Sequence, residues 1–325
     1  MSQTVEERTD GHSSEGRWAS LTKDQKFGLK LILPAFTLMA IVHGFPIVMG
    51  FVMSFYKFPS LDIAEWFRPE TFVALTHYID IFEPETFIGS QIVGSMKATL
   101  IYTVGCVTGV FTLGMIAALA LNHDFRGKLA ARTAILVPWV VPIVPMLLTW
   151  RMMLAFDGSI NGLLLMTPLF DSVQSLPQWL LGPNSLLTII ITNIWRQFPW
   201  AAIMLYAGLQ SIPQQLYEAA DIDGASRWGK FRHVTLPQLM PVSTVILLLM
   251  ILWTLVNFTI PYVLLGSQPS ESANVLIVLA YNAGFSQSQY GAGAAISFLL
   301  FIIAMIFAYV YYKRTVQSEY QGGAI

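Results

Sequence analysis

Charge is what this chain has least of. Only 11% of its 325 residues are Asp, Glu, Lys or Arg, while 55% are apolar, and mean hydropathy is +0.59. Soluble domains carry about a quarter charged residues, so composition alone excludes a freely soluble globular fold. The net charge of −1 offers no electrostatic grip on nucleic acid. A single cysteine, Cys106, lies in an apolar run and cannot close an internal disulfide, so cysteine usage does not report the compartment. The five histidines, at 12, 43, 77, 123 and 233, lack ligand spacing. No G-x-x-x-x-G-K-[ST] loop occurs, which excludes nucleotide hydrolysis by a phosphate loop of this chain's own.

What is present instead is a series of long apolar stretches. A bilayer core takes roughly twenty apolar residues per helix. Six stretches qualify, at about 31–55, 94–121, 133–155, 186–210, 242–265 and 291–312. The expected fold is therefore all-α, a polytopic membrane protein with six transmembrane helices. The first stretch is too long for a signal-peptide core and follows a polar tail, so it reads as an uncleaved membrane helix. Of the 18 Lys and Arg, all but Lys57, Arg68, Lys97, Arg151 and Arg196 fall in the N-terminal tail, the 122–132 loop, the 211–241 loop or the C-terminus. By the positive-inside rule these four segments, both termini included, are expected to be cytoplasmic. The organisation is then a tail over 1–30, a first helix over 31–55, an outer loop over 56–93, a five-helix core over 94–312 and a tail over 313–325.

The connecting segments are informative in places. The 1–30 tail is polar and is expected to be disordered at its start, with Trp18, Leu21, Phe27 and Leu29 predicting a short interfacial helix before the first span. The 56–93 loop interleaves aromatics with acids and predicts short amphipathic helices at the membrane surface, part of which can meet an external partner. Pro138, Pro142 and Pro145 fall within the third span, predicting a kink that either lines a moving pathway or serves packing. A short amphipathic piece is expected at 159–166. The small residues Gly291 to Ala295 open the last span and permit close helix approach.

One polar loop is patterned. After Pro213, Leu216, Ala219, Ala220 and Asp223 recur near i, i+3, i+4 and i+7, so a short helix can present one face of small residues. Gly224 permits a C-cap or a sharp bend with close backbone approach. A second helix from Ala225 carries Arg227, Trp228, Lys230, Phe231 and Arg232, and Leu236-Pro237 is expected to end it. Glu218-Ala219-Ala220, three residues, Gly224, nine residues, Val234, one residue, Leu236-Pro237 resembles the EAA loop of type I ABC importer permeases, with Val234 where that family more often has Ile. The six-span organisation resembles the same family over about residues 20–318.

The resemblance implies a mechanical role. Glu218, Ala219, Ala220, Asp223, Gly224, Leu236 and Pro237 would form a coupling helix docked on a cytoplasmic nucleotide-binding subunit. Two such ATP-binding cassette subunits would bind ATP and Mg, none of which this chain binds. A second permease and an extracellular sugar-binding protein would complete the machine in a prokaryotic cytoplasmic membrane, with no catalytic residue and no metal here.

Polar groups inside spans cost free energy and are functional candidates. Asn193, Gln197 and Trp200 lie in the fourth span; Trp253, Thr254 and Asn257 lie in the fifth, read as one face by their i, i+1, i+4 spacing. Amides bond hydroxyls and indoles cover the C–H face of a sugar ring, which suits a neutral polyhydroxylated ligand. The surrounding chain looks most like the sugar-importing branch and the first of two permeases in maltose-type systems, in which substrate contacts lie on these two helices. Arg196 either pairs structurally, the favoured reading, or contacts an anionic substrate, which would suit a phosphorylated polyol such as a glycerol phosphate. A secondary carrier would need intramembrane carboxylates for ion coupling, and the core spans hold none. An intramembrane enzyme would need a Ser–His pair, a metal cluster or an Asp dyad at membrane depth, and none is apparent.

Overall fold

The computed structural model describes residues 22–58, 66–168, 170 and 172–322, with side chains through 313. The expectations for Trp18, Leu21, Arg8 and Arg17 and for residues 59–65 lie outside the described residues. Two compact units are present, 1–52 and 53–325. Among the described residues the secondary structure is helical, with one isolated antiparallel bridge between Tyr56 and Phe72.

The first helix, α1, runs Lys23–Met53. Thr22 starts it with a capping box: its hydroxyl accepts from the Gln25 N–H at 3.3 Å, and Gln25 Oε1 accepts from the Thr22 N–H at 3.0 Å. The helix widens into a π turn over Ala40–Gly44. Pro46 follows, and its ring would press on the carbonyl of Val42, four residues back; the wider turn makes the room.

In the second unit, helix α2 spans Gly89–Asn122. The third predicted span proves to be two helices, α3 at Lys128–Val140 and α4 at Ile143–Leu154. The break falls where Val141 takes an extended conformation (φ −61°, ψ 133°) ahead of Pro142, as the residue before a proline prefers. Pro145 sits in the first turn of α4, where a missing N–H costs nothing. A short helix, Ser159–Leu165, follows as expected.

Helix α5 runs Ser185–Gln210. Among the described residues, five segments are both long and apolar enough to cross a membrane: α1, α2, Ile143–Leu165, Arg227–Leu255 and Tyr290–Lys313. Helix α5 is not among them, although its 26 residues reach about 39 Å; the run from Thr192 to Gln197 dilutes its hydropathy. It instead packs along α2 more extensively than any other pair of elements. Glycines make that approach possible. A Cβ on Gly109 would overlap the Ile194 side chain, and one on Gly114 would lie 2.8 Å from the Ala201 Cβ.

The chain continues through α6 (Gln214–Ile222) into α7 (Arg227–Leu255). Leu236-Pro237 does not end a helix. A π turn over Phe231–Thr235 carries the helix straight into the membrane segment, and again the proline stands two residues beyond it. The fifth predicted span breaks after Leu255; α8, Thr259–Leu265, resumes three residues later. Helices α9 (Leu276–Ser286) and α10 (Tyr290–Gly322) complete the unit. Of the predicted outer-loop helices, the described part forms Pro69–Thr71 and Thr76–Asp80.

Candidate functional site

The patterned loop folds as a helix–bend–helix. Helix α6 closes at Asp223, whose N–H reaches the Ala219 carbonyl. Gly224 then adopts φ +74°, the left-handed conformation that glycine takes at least cost. Ser226 caps the next helix, its hydroxyl accepting from the Gly229 N–H at 3.2 Å. Glu218, Ala219, Asp223 and Gly224 are exposed, as are Leu236 and Pro237, and Ala220 is half-buried. Apolar side chains project from the same loop: Ile222 is 88% exposed and Trp228 67%, the latter stacked on Phe231 at 5.5 Å. The loop thus presents large apolar groups among its charged ones at the surface.

The loop is also held from inside. Tyr217 and Thr235 join hydroxyl to hydroxyl at 3.0 Å, and Lys230 pairs with Asp221. Above it a cavity of about 1080 Å³ opens between the end of α2 (Met115, Asn122) and Tyr217, Trp228 and Phe231 of the loop. Next to it, Arg132 of α3 donates to the Tyr206 hydroxyl at 2.6 Å and lies over the ring at 4.7 Å; Gln210 Nε2 donates to the same oxygen at 2.7 Å. The end of α5 that leads into the loop is thereby clamped. Apart from the i, i+4 contact of Gln210 with Tyr206 within α5, these contacts join residues from separate helices, which spacing could not foretell.

The polar groups within the helices form a looser set. Asn193, Gln197 and Trp200 share one face of α5 by their i, i+4, i+7 spacing. Trp200 meets Trp253 of α7 edge to face, ring centroids 4.9 Å apart. Thr254 is buried beside Trp253. Asn257 departs from the expected single face: it lies past the end of α7, and its Oδ1 accepts the Ile260 N–H at 3.2 Å, capping α8. Asn193 is 1% exposed, and neither of its amide atoms finds a hydrogen-bond partner. Tyr102 on α2, also buried, has an unpartnered hydroxyl; sequence reading missed it because a tyrosine in an apolar window passes for packing.

Arg196 also departs from expectation. The favoured reading is structural pairing, yet among the described residues no carboxylate pairs with it, and its Nε is buried without a partner. No cluster of three or more His, Cys, Asp or Glu able to hold a metal occurs among the described residues.

Residues 110–317 match the family model described as binding-protein-dependent transport system inner membrane component. The trehalose/maltose transport system permease protein MalF of Thermococcus litoralis is 34% identical over 294 residues, covering 90% of this chain and 94% of the relative. The inner membrane ABC transporter permease protein YcjO of Escherichia coli K12 is 32% identical over 293 residues, again covering 90% and 94%. Among solved structures, a chain of a bacterial ABC transporter involved in the import of the acidic polysaccharide alginate matches with a TM-score of 0.74 at 22% identity, covering 91% of this chain and 96% of that one. That likeness bears on the fold.

Proposed function

The chain belongs to the family of inner membrane components of binding-protein-dependent transport systems, and from that premise we propose that it is the permease subunit through which an ATP-driven importer takes up a mono- or oligosaccharide. The observation that carries the reading is the exposed helix–bend–helix with the EAA pattern, Glu218 to Gly224 on its surface and Pro237 at its junction with α7. In this reading the loop faces the cytoplasm, as do both termini, following the Lys and Arg distribution. It docks on one of two ATP-binding cassette subunits, which bind the ATP and Mg. A second permease completes the membrane pore, and an extracellular binding protein delivers the sugar. The chain itself is a translocation subunit.

Sugar as cargo rests on two supports. A relative covering nearly all of the chain is named for trehalose and maltose, and the α5–α7 set supplies amides beside indoles. Asn193 is the strongest candidate contact. Leaving a buried amide unpaired costs about 1–3 kcal/mol, a cost offset if the amide bonds a substrate hydroxyl when the helices part. Gln197, Trp200, Trp253 and Thr254 complete the proposed path, with Asn257 at its end. The unpaired Arg196 favours a second reading, a phosphorylated polyol carried by the same machinery.

The test is uptake by the whole complex, reconstituted with the subunits encoded beside it. ATP-dependent uptake of trehalose or maltose, abolished by omitting the binding protein, is expected. Uptake of glycerol 3-phosphate in place of either sugar would install the second reading. Uptake that ignores ATP and the binding protein would overturn both.

A further inference from the structure

Docking explains how the loop is gripped, but a gripped loop moves nothing unless it is tied to the membrane helices. Two ties are visible. One is the pair of Lys230 and Asp221, with 60% of the Asp221 side chain exposed. Exposed pairs contribute little, about 0–1 kcal/mol, and salt screens them. The other is the hydroxyl contact between Tyr217 and Thr235 at 3.0 Å, with Thr235 only 4% exposed. Tyr217 is half-buried and packs with Phe231 and Val234 against the cluster that includes Met115, Leu205 and Leu239.

The position of this second tie matters more than its strength. Tyr217 immediately precedes Glu218, inside the helix proposed to dock. Thr235 is the last residue of the π turn, where the loop becomes the membrane helix α7. Thr235 Oγ1 also reaches the Lys230 carbonyl at 3.5 Å. The Thr235 hydroxyl can therefore donate to that carbonyl while its oxygen accepts from Tyr217. The backbone chain from Tyr217 to Thr235 passes through the Gly224 bend, a natural hinge; the hydroxyl contact bypasses it.

We propose that the hydrogen bond between Tyr217 and Thr235 is the linkage that passes displacement of the docked helix to α7, so that α6 and α7 move as one body. The proposal rests on the docking role of the loop. Tyr217 and Thr235 are positioning residues, acting through α7 on Trp253 and Thr254 at its far end. Without the bond, α6 swings about Gly224 and part of each ATP-driven stroke is lost in the hinge.

The assay is the assembled transporter in proteoliposomes, with sugar uptake and ATP hydrolysis measured together. Tyr217→Phe and Thr235→Val keep shape and remove the bond. Each is expected to lower the sugar moved per ATP hydrolysed by roughly two- to tenfold, the factor equivalent to one neutral hydrogen bond. The double variant should be no worse than either single, and Thr235→Ser, which keeps the hydroxyl, should restore the ratio. An unchanged ratio in both singles, or effects that multiply in the double, would overturn the linkage. Gly224→Trp is the control for docking: if the ATPase subunits still co-purify with it, the docking reading itself fails. If they are lost while the Tyr217 and Thr235 variants keep the normal ratio, only the linkage falls.

Discussion

Gly224 separates the two reasons a glycine can occupy a bend. Its φ of +74° is a conformational demand, whereas docking would add a demand for space. Within this chain the space is open, since a Cβ built there meets nothing within 4 Å. Gly224→Ala therefore costs about 1–2 kcal/mol of backbone strain and no steric clash inside the subunit. Gly224→Asn relieves most of that strain, because asparagine enters the left-handed region far more readily, yet it adds a side chain on the exposed surface. If a second subunit approaches the bend closely, Asn is the harmful substitution even though the fold tolerates it. We expect Gly224→Asn to insert normally and to keep its thermal midpoint in detergent. Its co-purification with the ATPase subunits should fall by at least about tenfold, which is about 1.4 kcal/mol of docking free energy. The measurements are a pull-down from solubilised membranes and initial uptake in vesicles. Wild-type docking and uptake by Gly224→Asn, with loss confined to Gly224→Ala, would show that the glycine serves only the turn and would refute close approach.

Two further substitutions weigh the substrate path. Asn193→Leu removes a buried amide that has no partner, so its thermal midpoint should rise while sugar uptake falls severalfold; unchanged uptake would return Asn193 to a packing role. Asn257→Ala removes the acceptor that caps α8 and should cost about 1 kcal/mol of stability along with some uptake. Restoration of both by Asn257→Ser would assign Asn257 to capping, whereas a lasting uptake defect with restored stability would place it on the substrate path.

The helix–bend–helix was legible in the sequence because its determinants are local. Small residues at helical spacing and a glycine at the bend act within a turn of one another, although the next helix is capped by Ser226 rather than starting at Ala225. The breaks were harder to place. Three prolines in one stretch announced a kink, but only Pro142, acting through the extended Val141, breaks the helix; Pro138 lies inside α3 and Pro145 in the first turn of α4. Pro237 read as a terminator because the rule that prolines end helices assumes an ordinary α turn before them. A π turn removes the clash, and neither Phe231 nor Thr235 advertises one. Arg132 and Tyr217 escaped notice for a third reason: their partners, Tyr206 and Thr235, lie on other helices.

The two broken spans turn out to be one feature. The halves that follow the breaks, α4 and α8, pack on each other, with Met146 and Leu147 of one in the same buried cluster as Ile260 and Leu264 of the other. Irregular backbone at membrane depth survives only where protein or a water-filled cavity satisfies its polar groups. Val141 and Phe258, one beside each break, both pack against that same cluster, so protein borders the irregular backbone. Trp253 and Thr254 occupy the last turn of α7 before its break, so their position is set by this packed pair as well as by their own helix. From the other end, α7 is joined through its π turn to the exposed loop. The helix that bears Trp253 and Thr254 is thus continuous with the proposed docking surface, and ends at a break held by packing and by the Asn257 cap on α8. In the proposed mechanism, displacement entering at the π turn is carried along α7 toward that break, where Trp253 and Thr254 stand.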